Sequence, residues 1–236
     1  YHLIKHPKAE YKKKKRTYLL PKQNSYNSLD ELDFNEWLSR PYDFIFNNPS
    51  IYKGSPLVIN LALNFPDKKF LVKKGTWAIW EVHEWYYKWL EMMEKIPNIE
   101  IIDTVENMEE DFFRKGRYLL YPSVLEGFGL MPMEAAMQGT IPICSDIDIL
   151  RYSSAPHSIF VYSEYVTNNP FNIINNREEL HKFDWEKISD DWIEKIQYLD
   201  DNEGEIKEIY NSLRLVKNTV DKRYESALTS FLNSFK

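Results

Sequence analysis

Residues 117–146, RYLLYPSVLEGFGLMPMEAAMQGTIPICSD, decide the fold. The apolar run 117–121 reads as a strand. A loop with two glycines follows, then a short helical stretch 131–138 closed by Gly139, then a second apolar strand 141–144. The chain has seven glycines, and Gly127, Gly129 and Gly139 all fall inside this stretch. A chain so poor in glycine places one where the backbone needs positive φ or close approach of another group. The turn Gly127-Phe128-Gly129 is therefore expected to bring something close to main chain. The same stretch holds two carboxylates, Glu126 and Glu134.

Outward from it, the same alternation repeats. Tyr42–Asn47 (YDFIFN) reads as a first strand. Ser55-Pro56 opens a helix through Phe65, with the hydroxyl as cap and proline at the first helical position. Residues 69–72 read as a second strand and 99–103 as a third. Between them Thr76–Lys95 reads as one long helix whose apolar stripe is Ala78, Val82, Trp85, Trp89, Met92 and Ile96. Residues 107–115 read as a helix stopped by Gly116, and 158–162 as a sixth strand. Ser28-Leu29-Asp30-Glu31 is a capping-box pattern that opens a short helix ending near Arg40-Pro41.

Strands alternating with helices, several apolar throughout, predict an α/β fold: a Rossmann-like parallel sheet with helices on both faces, followed by C-terminal helices. The expected division is a basic leader or linker with a short helix over 1–40, the Rossmann-like domain over 41–176, and C-terminal helices over 177–236. One stripe of those helices is Trp185, Ile188, Trp192, Ile196 and Leu199. A second runs from Ile206 through Ile209 and Leu213 to Phe235. They are expected to pack on the sheet domain or on a further domain.

Composition excludes several classes. With 43% hydrophobic and 15% aromatic residues in 236, the chain has ample material for a core. The formal charge is −6, yet residues 1–22 hold eight Lys/Arg against one acid, so the remainder carries 22 basic against 35 acidic groups. That body is a poor general binder of nucleic acid, which needs positive surface. The run Lys12–Arg16 reads as a solvated leader. A single cysteine, Cys144, excludes an intramolecular disulfide, and it is expected to be a small buried hydrophobe. His2, His6, His83, His157 and His181 have no metal-ligand spacing, and no metal is expected. No apolar run spans a membrane and no secretory signal is visible. The expected location is cytoplasmic, with peripheral membrane contact as the alternative.

In an open parallel sheet, ligands bind outside the carboxyl ends of the strands. Lys53-Gly54 follows the first strand, Glu126 and the glycine turn follow the fourth, and Glu134 stands just inside the next helix. The first amides of that helix, near Leu130 and Met131, point at the same crevice and suit a phosphate. Lys53 adds a point charge. A carboxylate one turn into the helix is wrong for phosphate but right for a diol, whose two hydroxyls it accepts. An anion site beside a polyol site describes a nucleotide linked to a sugar.

These residues resemble the donor-binding signature of retaining GT-B glycosyltransferases, especially the family four group. The match runs through Pro122-Ser123, Glu126, Gly127-Phe128-Gly129, Glu134-Ala135-Ala136, Gly139-Thr140-Ile141-Pro142 and Ser145-Asp146. Lys53-Gly54 after the first strand extends it. The resemblance implies that Glu134 binds the ribose diol and that Glu126 contacts the transferred sugar. It gives the sugar and diphosphate to the amides of Phe128, Gly129, Leu130 and Met131, and the charge building on the departing diphosphate to Lys53. It also implies a UDP-, GDP- or ADP-linked sugar as substrate, no cofactor, an unknown glycan, lipid or protein acceptor, and an N-terminal acceptor domain in the same or another chain. Three departures stand out. Asn47 or Asn48 takes the place of an arginine usual at the end of strand one. The glycine turn after strand two is reduced to Gly75, where the neighbouring Lys73 and Lys74 read as solvated. Ile147–Arg151 replaces a segment with two glycines and a glutamate. A non-catalytic nucleotide-sugar-binding subunit, or a sugar-nucleotide epimerase, is the alternative.

Overall fold

The computed structural model of the chain describes residues 33–75, 84–103, 105–154, 158–167, 180 and 182–213. Its centre is one six-stranded parallel sheet: β1 (Tyr42–Asn47), β2 (Phe70–Lys73), β3 (Ile99–Ile102), β4 (Gly116–Tyr121), β5 (Ile141–Ser145) and β6 (Ile159–Val161). The spatial order is β3-β2-β1-β4-β5-β6. The chain steps outward from β1 to β3, crosses back to β4, and steps outward again to β6. The switch point is therefore the seam between β1 and β4, where Phe44 pairs with Tyr118 and Ile45 with Leu119.

The strands are buried on both sides, which is why β2 and β5 read as unbroken apolar runs rather than alternating ones. On one face Phe44 lies 5.0 Å from Phe70 and 5.7 Å from Tyr118, ring centre to ring centre. Trp37 covers Tyr118 edge-on at 5.3 Å and donates its indole N–H to the Arg117 carbonyl at 2.9 Å. Trp37 belongs to α1 (Phe34–Leu38), and Tyr210, from the helical residues 203–213, packs on it at 5.7 Å. Burying Trp37 and Tyr210 to 1% exposure ties the segment before the sheet to the helices after it. Helix α8 (Trp185–Asp201) turns Ile188, Trp192, Ile196 and Leu199 inward, the expected stripe with Trp185 only partly covered. It packs on α2 (Ser55–Asn64), where Asn60 donates to Ser189 Oγ at 3.1 Å.

Several local expectations are corrected. Asp33, not Ser28, caps α1, its carboxylate accepting the Asn35 N–H at 3.0 Å; Ser28 lies outside the described residues. Ser55 is the first residue of α2 rather than its cap. Gly54 caps it instead, in the left-handed region at φ 77. Helix α3 is described over Glu84–Glu94, and its buried side is Tyr86, Leu90 and Met93, while Met92 is exposed. Of the expected stripe Trp89 and Ile96 do pack on the core, while Tyr86, whose hydroxyl accepts the Gly75 N–H (3.2 Å), joins the buried side and Met92 does not. Ala78 and Val82 lie outside the described residues. Helix α4 (Met108–Asp111) gives way to a 3-10 turn, Phe113–Lys115. Gly116 then begins β4 with extended backbone (φ −112, ψ 149). Gly116 does end the helical stretch as expected, its N–H bonded to the Phe113 carbonyl, and it must be glycine because a Cβ there would stand 2.3 Å from Ile45 Cγ2.

Two short helices had no sequence signal: α6 (Asp148–Ser153) and α7 (Glu164–Thr167). Helix α5 (Met131–Met137) and the left-handed Gly139 after it (φ 70) match expectation. The basic run 12–16 and all five histidines lie outside the described residues. Among the described residues no helix is long and apolar enough to cross a membrane.

Candidate functional site

The switch-point seam fixes where a ligand can lie, and the loops leaving it carry the candidate residues. After β1, residues 50–54 turn tightly, with Gly54 N–H bonded to the Ile51 carbonyl at 3.1 Å, and present Lys53. After β4, Val124 N–H bonds to the Tyr52 carbonyl at 2.9 Å, so the two loops are stitched together. That bond places Lys53 against Glu126: the two form an ion pair, with side-chain exposures of 23% and 10%.

Beneath them lies Tyr121, the last residue of β4. Lys53 Nζ is 3.4 Å from its hydroxyl and 5.1 Å from the ring centre. Burial, and next the Glu126 charge, push the Tyr121 hydroxyl far above its ordinary range, so it stays protonated. Alternation puts its neighbours in order. Phe70, Phe44 and Tyr118 share one face of the sheet, so Lys73, Asn47 and Tyr121, three residues further along each strand, share the other. Cys144 pairs with Tyr121 and joins that row. Burial pushes the Cys144 thiol up to about 12.

The glycine turn is set on this floor. Gly129 has φ 75, and a Cβ there would meet Leu150 Cδ2 at 2.5 Å and Tyr121 Cε1 at 3.7 Å. The turn thus lies between α6 and the Tyr121 ring, and only glycine fits. Gly127 is different: a Cβ there has open space. Phe128 and Leu130 point outward, 49% and 56% exposed. Leu130 caps α5. The first helical bonds come from Met133 and Glu134 N–H to the Leu130 carbonyl, at 3.0 and 3.1 Å. The N–H groups of Leu130 and Met131 precede these bonds, and Pro132 has none to offer.

Glu134 stands on the first turn of α5 with its residue exposed. Burial around the carboxyl, then the charge of Glu109 on α4, raise it above the ordinary carboxylate range. The structure therefore brings Lys53, Glu126 and the glycine turn together and gives Glu134 a different charged neighbour. Asn47 lies at the end of β1 with its Oδ1 buried and lacking a hydrogen-bond partner among the described residues. Asn48 takes a left-handed backbone (φ 61) and packs its side chain where a Gly75 Cβ would be.

Lys73 corrects the expectation of a solvated lysine. It is 6% exposed, donates to the Lys74 carbonyl at 3.0 Å, and burial lowers its pKa. Lys74 does reach solvent, paired with Asp103 at 2.8 Å. Sequence reasoning missed Tyr121 and Glu109 and misplaced Lys73. Tyr121 reads only as the end of an apolar strand and Lys73 as part of the turn after the second strand; the one available signal is their shared parity with Asn47. No cluster of three or more metal-capable side chains occurs among the described residues.

No protein-family model matches the chain, and no curated protein does. Solved structures do. The structure of the GtfA/B complex matches with a TM-score of 0.56 at 20% identity, over 83% of this chain and 36% of that one. An alpha,alpha-trehalose-phosphate synthase (UDP-forming) from Burkholderia vietnamiensis matches with a TM-score of 0.50 at 13% identity, over 85% of this chain and 46% of that one. The likeness is one of fold, and the chain spans less than half the length of either protein.

Proposed function

We propose that this chain supplies the donor site of a retaining GT-B glycosyltransferase of the family four type. In this reading it moves a sugar from a nucleotide-sugar to a glycan, lipid or protein acceptor. The observation that carries the reading is the meeting of Lys53 and Glu126 over the glycine turn, at the β1–β4 switch point. An ammonium and a carboxylate at one carboxyl edge, with a second carboxylate on the next helix, match the diphosphate, sugar and ribose of one elongated ligand.

The roles follow from chemistry. Lys53 neutralises charge on the departing diphosphate; loss of one such group typically costs a few kcal/mol of transition-state stabilisation. The amides of Phe128, Gly129, Leu130 and Met131 hold the diphosphate and sugar. Glu126, released from Lys53, accepts a sugar hydroxyl, and Glu134 accepts the ribose diol. Gly54 lets the two loops approach, since a Cβ there would stand 2.7 Å from the Pro122 carbonyl oxygen, and Asn47 or Asn48 stands where the family pattern has an arginine. The reaction needs no metal or cofactor here and runs in the cytoplasm. An acceptor domain, in the same or another chain, completes the enzyme. Two solved structures of like fold support the nucleotide-sugar and partner parts of this reading, one being named as a complex and the other as UDP-forming.

Asn47 in place of a cation favours one second reading, a nucleotide-sugar-binding subunit that does not itself catalyse transfer. Calorimetric titration with UDP-, GDP- and ADP-linked sugars tests the donor site directly. Micromolar to millimolar binding of one of them is expected, and no affinity for any overturns it. Transfer to water or to an acceptor separates enzyme from subunit.

A further inference from the structure

We propose that Tyr121 is the positioning residue of this site: its ring and hydroxyl hold the Lys53 ammonium over the glycine turn, so that Lys53 can exchange Glu126 for a nucleotide diphosphate while staying in place. The inference rests on the donor-site reading above.

Lys53 alone is poorly suited to precise work. A lysine carries its charge on a flexible four-carbon stem with many rotamers. Whatever fixes it before binding reduces the cost of fixing it on binding. Glu126 does fix it, but in this reading Glu126 must leave to meet the sugar. Tyr121 is the contact that both arrangements can share. Its hydroxyl accepts from Lys53 at 3.4 Å and its ring lies 5.1 Å below the ammonium. A phenol can accept one hydrogen bond while donating another. The Glu126 carboxylate, paired with the same ammonium, is an acceptor within the cluster for that proton, and burial, then the Glu126 charge, keep the Tyr121 hydroxyl protonated.

The ring is packed on several sides. Tyr121 is 7% exposed, ends a central strand of the sheet, and has Gly129 against its ring. It therefore adds a contact from the β4 strand end to the loop carrying the cation, beside the Val124–Tyr52 bond that already joins the two loops. A tyrosine that served only to fill the core would need its ring and not its hydroxyl. Tyr121→Phe separates these roles, because it keeps the ring and the packing and removes only the oxygen.

The experiment uses the full chain and whichever of UDP, GDP or ADP binds most tightly, compared with the matching nucleoside. In Tyr121→Phe, affinity for the diphosphate should fall about three- to tenfold, as one hydrogen bond to a charged group is lost, with nucleoside affinity unchanged. In a Lys53→Met background the same change should have no effect, since the tyrosine acts through the lysine. Near-ultraviolet circular dichroism checks that the fold is kept. If wild type binds a diphosphate but Tyr121→Phe binds it equally well, or weakens it equally in both backgrounds, the positioning role is wrong and the donor site stands. If wild type binds none of the three, the donor site itself falls and the inference falls with it.

Discussion

Lys53 and Glu126, drawn from loops that leave β1 and β4, are paired with each other. In the proposed donor site each holds the other until the nucleotide-sugar binds. This arrangement makes their substitutions asymmetric. Removing Lys53 leaves a carboxylate that is only 10% exposed without its cation, whereas removing the Glu126 charge leaves the more exposed ammonium. Lys53→Met should therefore cost about 1–3 kcal/mol of stability and Glu126→Gln less. Chemical denaturation of the two variants reads the difference; equal losses would mean that the pair is not set as described.

The same pairing predicts opposite effects on binding. Lys53→Met should weaken a nucleoside diphosphate by tenfold or more. Glu126→Gln should tighten it, because the competing carboxylate is gone. Weakening by both variants to the same degree would show that Glu126 does not compete with the phosphate.

Gly129 and Gly127 lie two residues apart, but only one is locked. Gly129→Ala forces a Cβ into Leu150 at positive φ and should cost about 2–4 kcal/mol, loosening the turn from α6. Gly127→Ala meets open space and should change stability by less than about 0.5 kcal/mol. Thermal melts of the pair check this, and equal melting points would contradict the described packing.

Much of this site was legible before any coordinates. Six strands and their parallel arrangement followed from short apolar runs between helical stretches, since a strand buried on both faces shows no alternation. Lys53, Glu126 and Glu134 followed from where loops must leave such a sheet. What stayed hidden depended on contacts between distant segments. Nothing near residue 121 in sequence tells that its hydroxyl meets residue 53. Lys73 looked solvated because two adjacent lysines usually are, and its burial depends on the packing around β2. Gly116 showed only as a helix stop because its other constraint is a side chain seventy-one positions earlier, Ile45.

Glu134 should show itself through pH. Its folded pKa is raised by burial and by Glu109, so it takes up a proton above the ordinary carboxylate range. In the proposed site the ribose diol needs the Glu134 carboxylate, so nucleoside affinity should fall as pH drops through that raised value. A nucleoside, which lacks phosphate, keeps phosphate titration out of the measurement. Glu134→Gln should abolish the pH dependence and Glu109→Gln should move it to lower pH. A flat profile for wild type would remove Glu134 from the site.

Cys144 gives a clean report on the floor beneath the site, because the chain has no other cysteine. It is fully buried and its thiol is pushed up to about 12, so little thiolate exists at pH 8. Native protein should react with a disulfide reagent only as fast as the sheet opens, and denatured protein at once. Rapid labelling of the native chain would show that β5 is not closed over.

Lys73 tests whether a buried ammonium beside Asn47 serves the proposed site. A buried ammonium with a carbonyl as its recorded partner is costly to fold, and burial lowers its pKa. The sign follows. The unfolded chain holds this proton more tightly than the folded one, so Lys73 weakens the fold at neutral pH and the penalty fades as pH rises from the folded pKa toward the unfolded pKa. Lys73→Met should accordingly stabilise the protein by about 1–3 kcal/mol at pH 7, with the gain shrinking in alkali. If Lys73 also serves an anion from its place beside Asn47, the same variant should lose diphosphate affinity while gaining stability. Greater stability with unchanged affinity would assign it to the core alone, and lower stability would mean that the ammonium has an anionic partner in the fold.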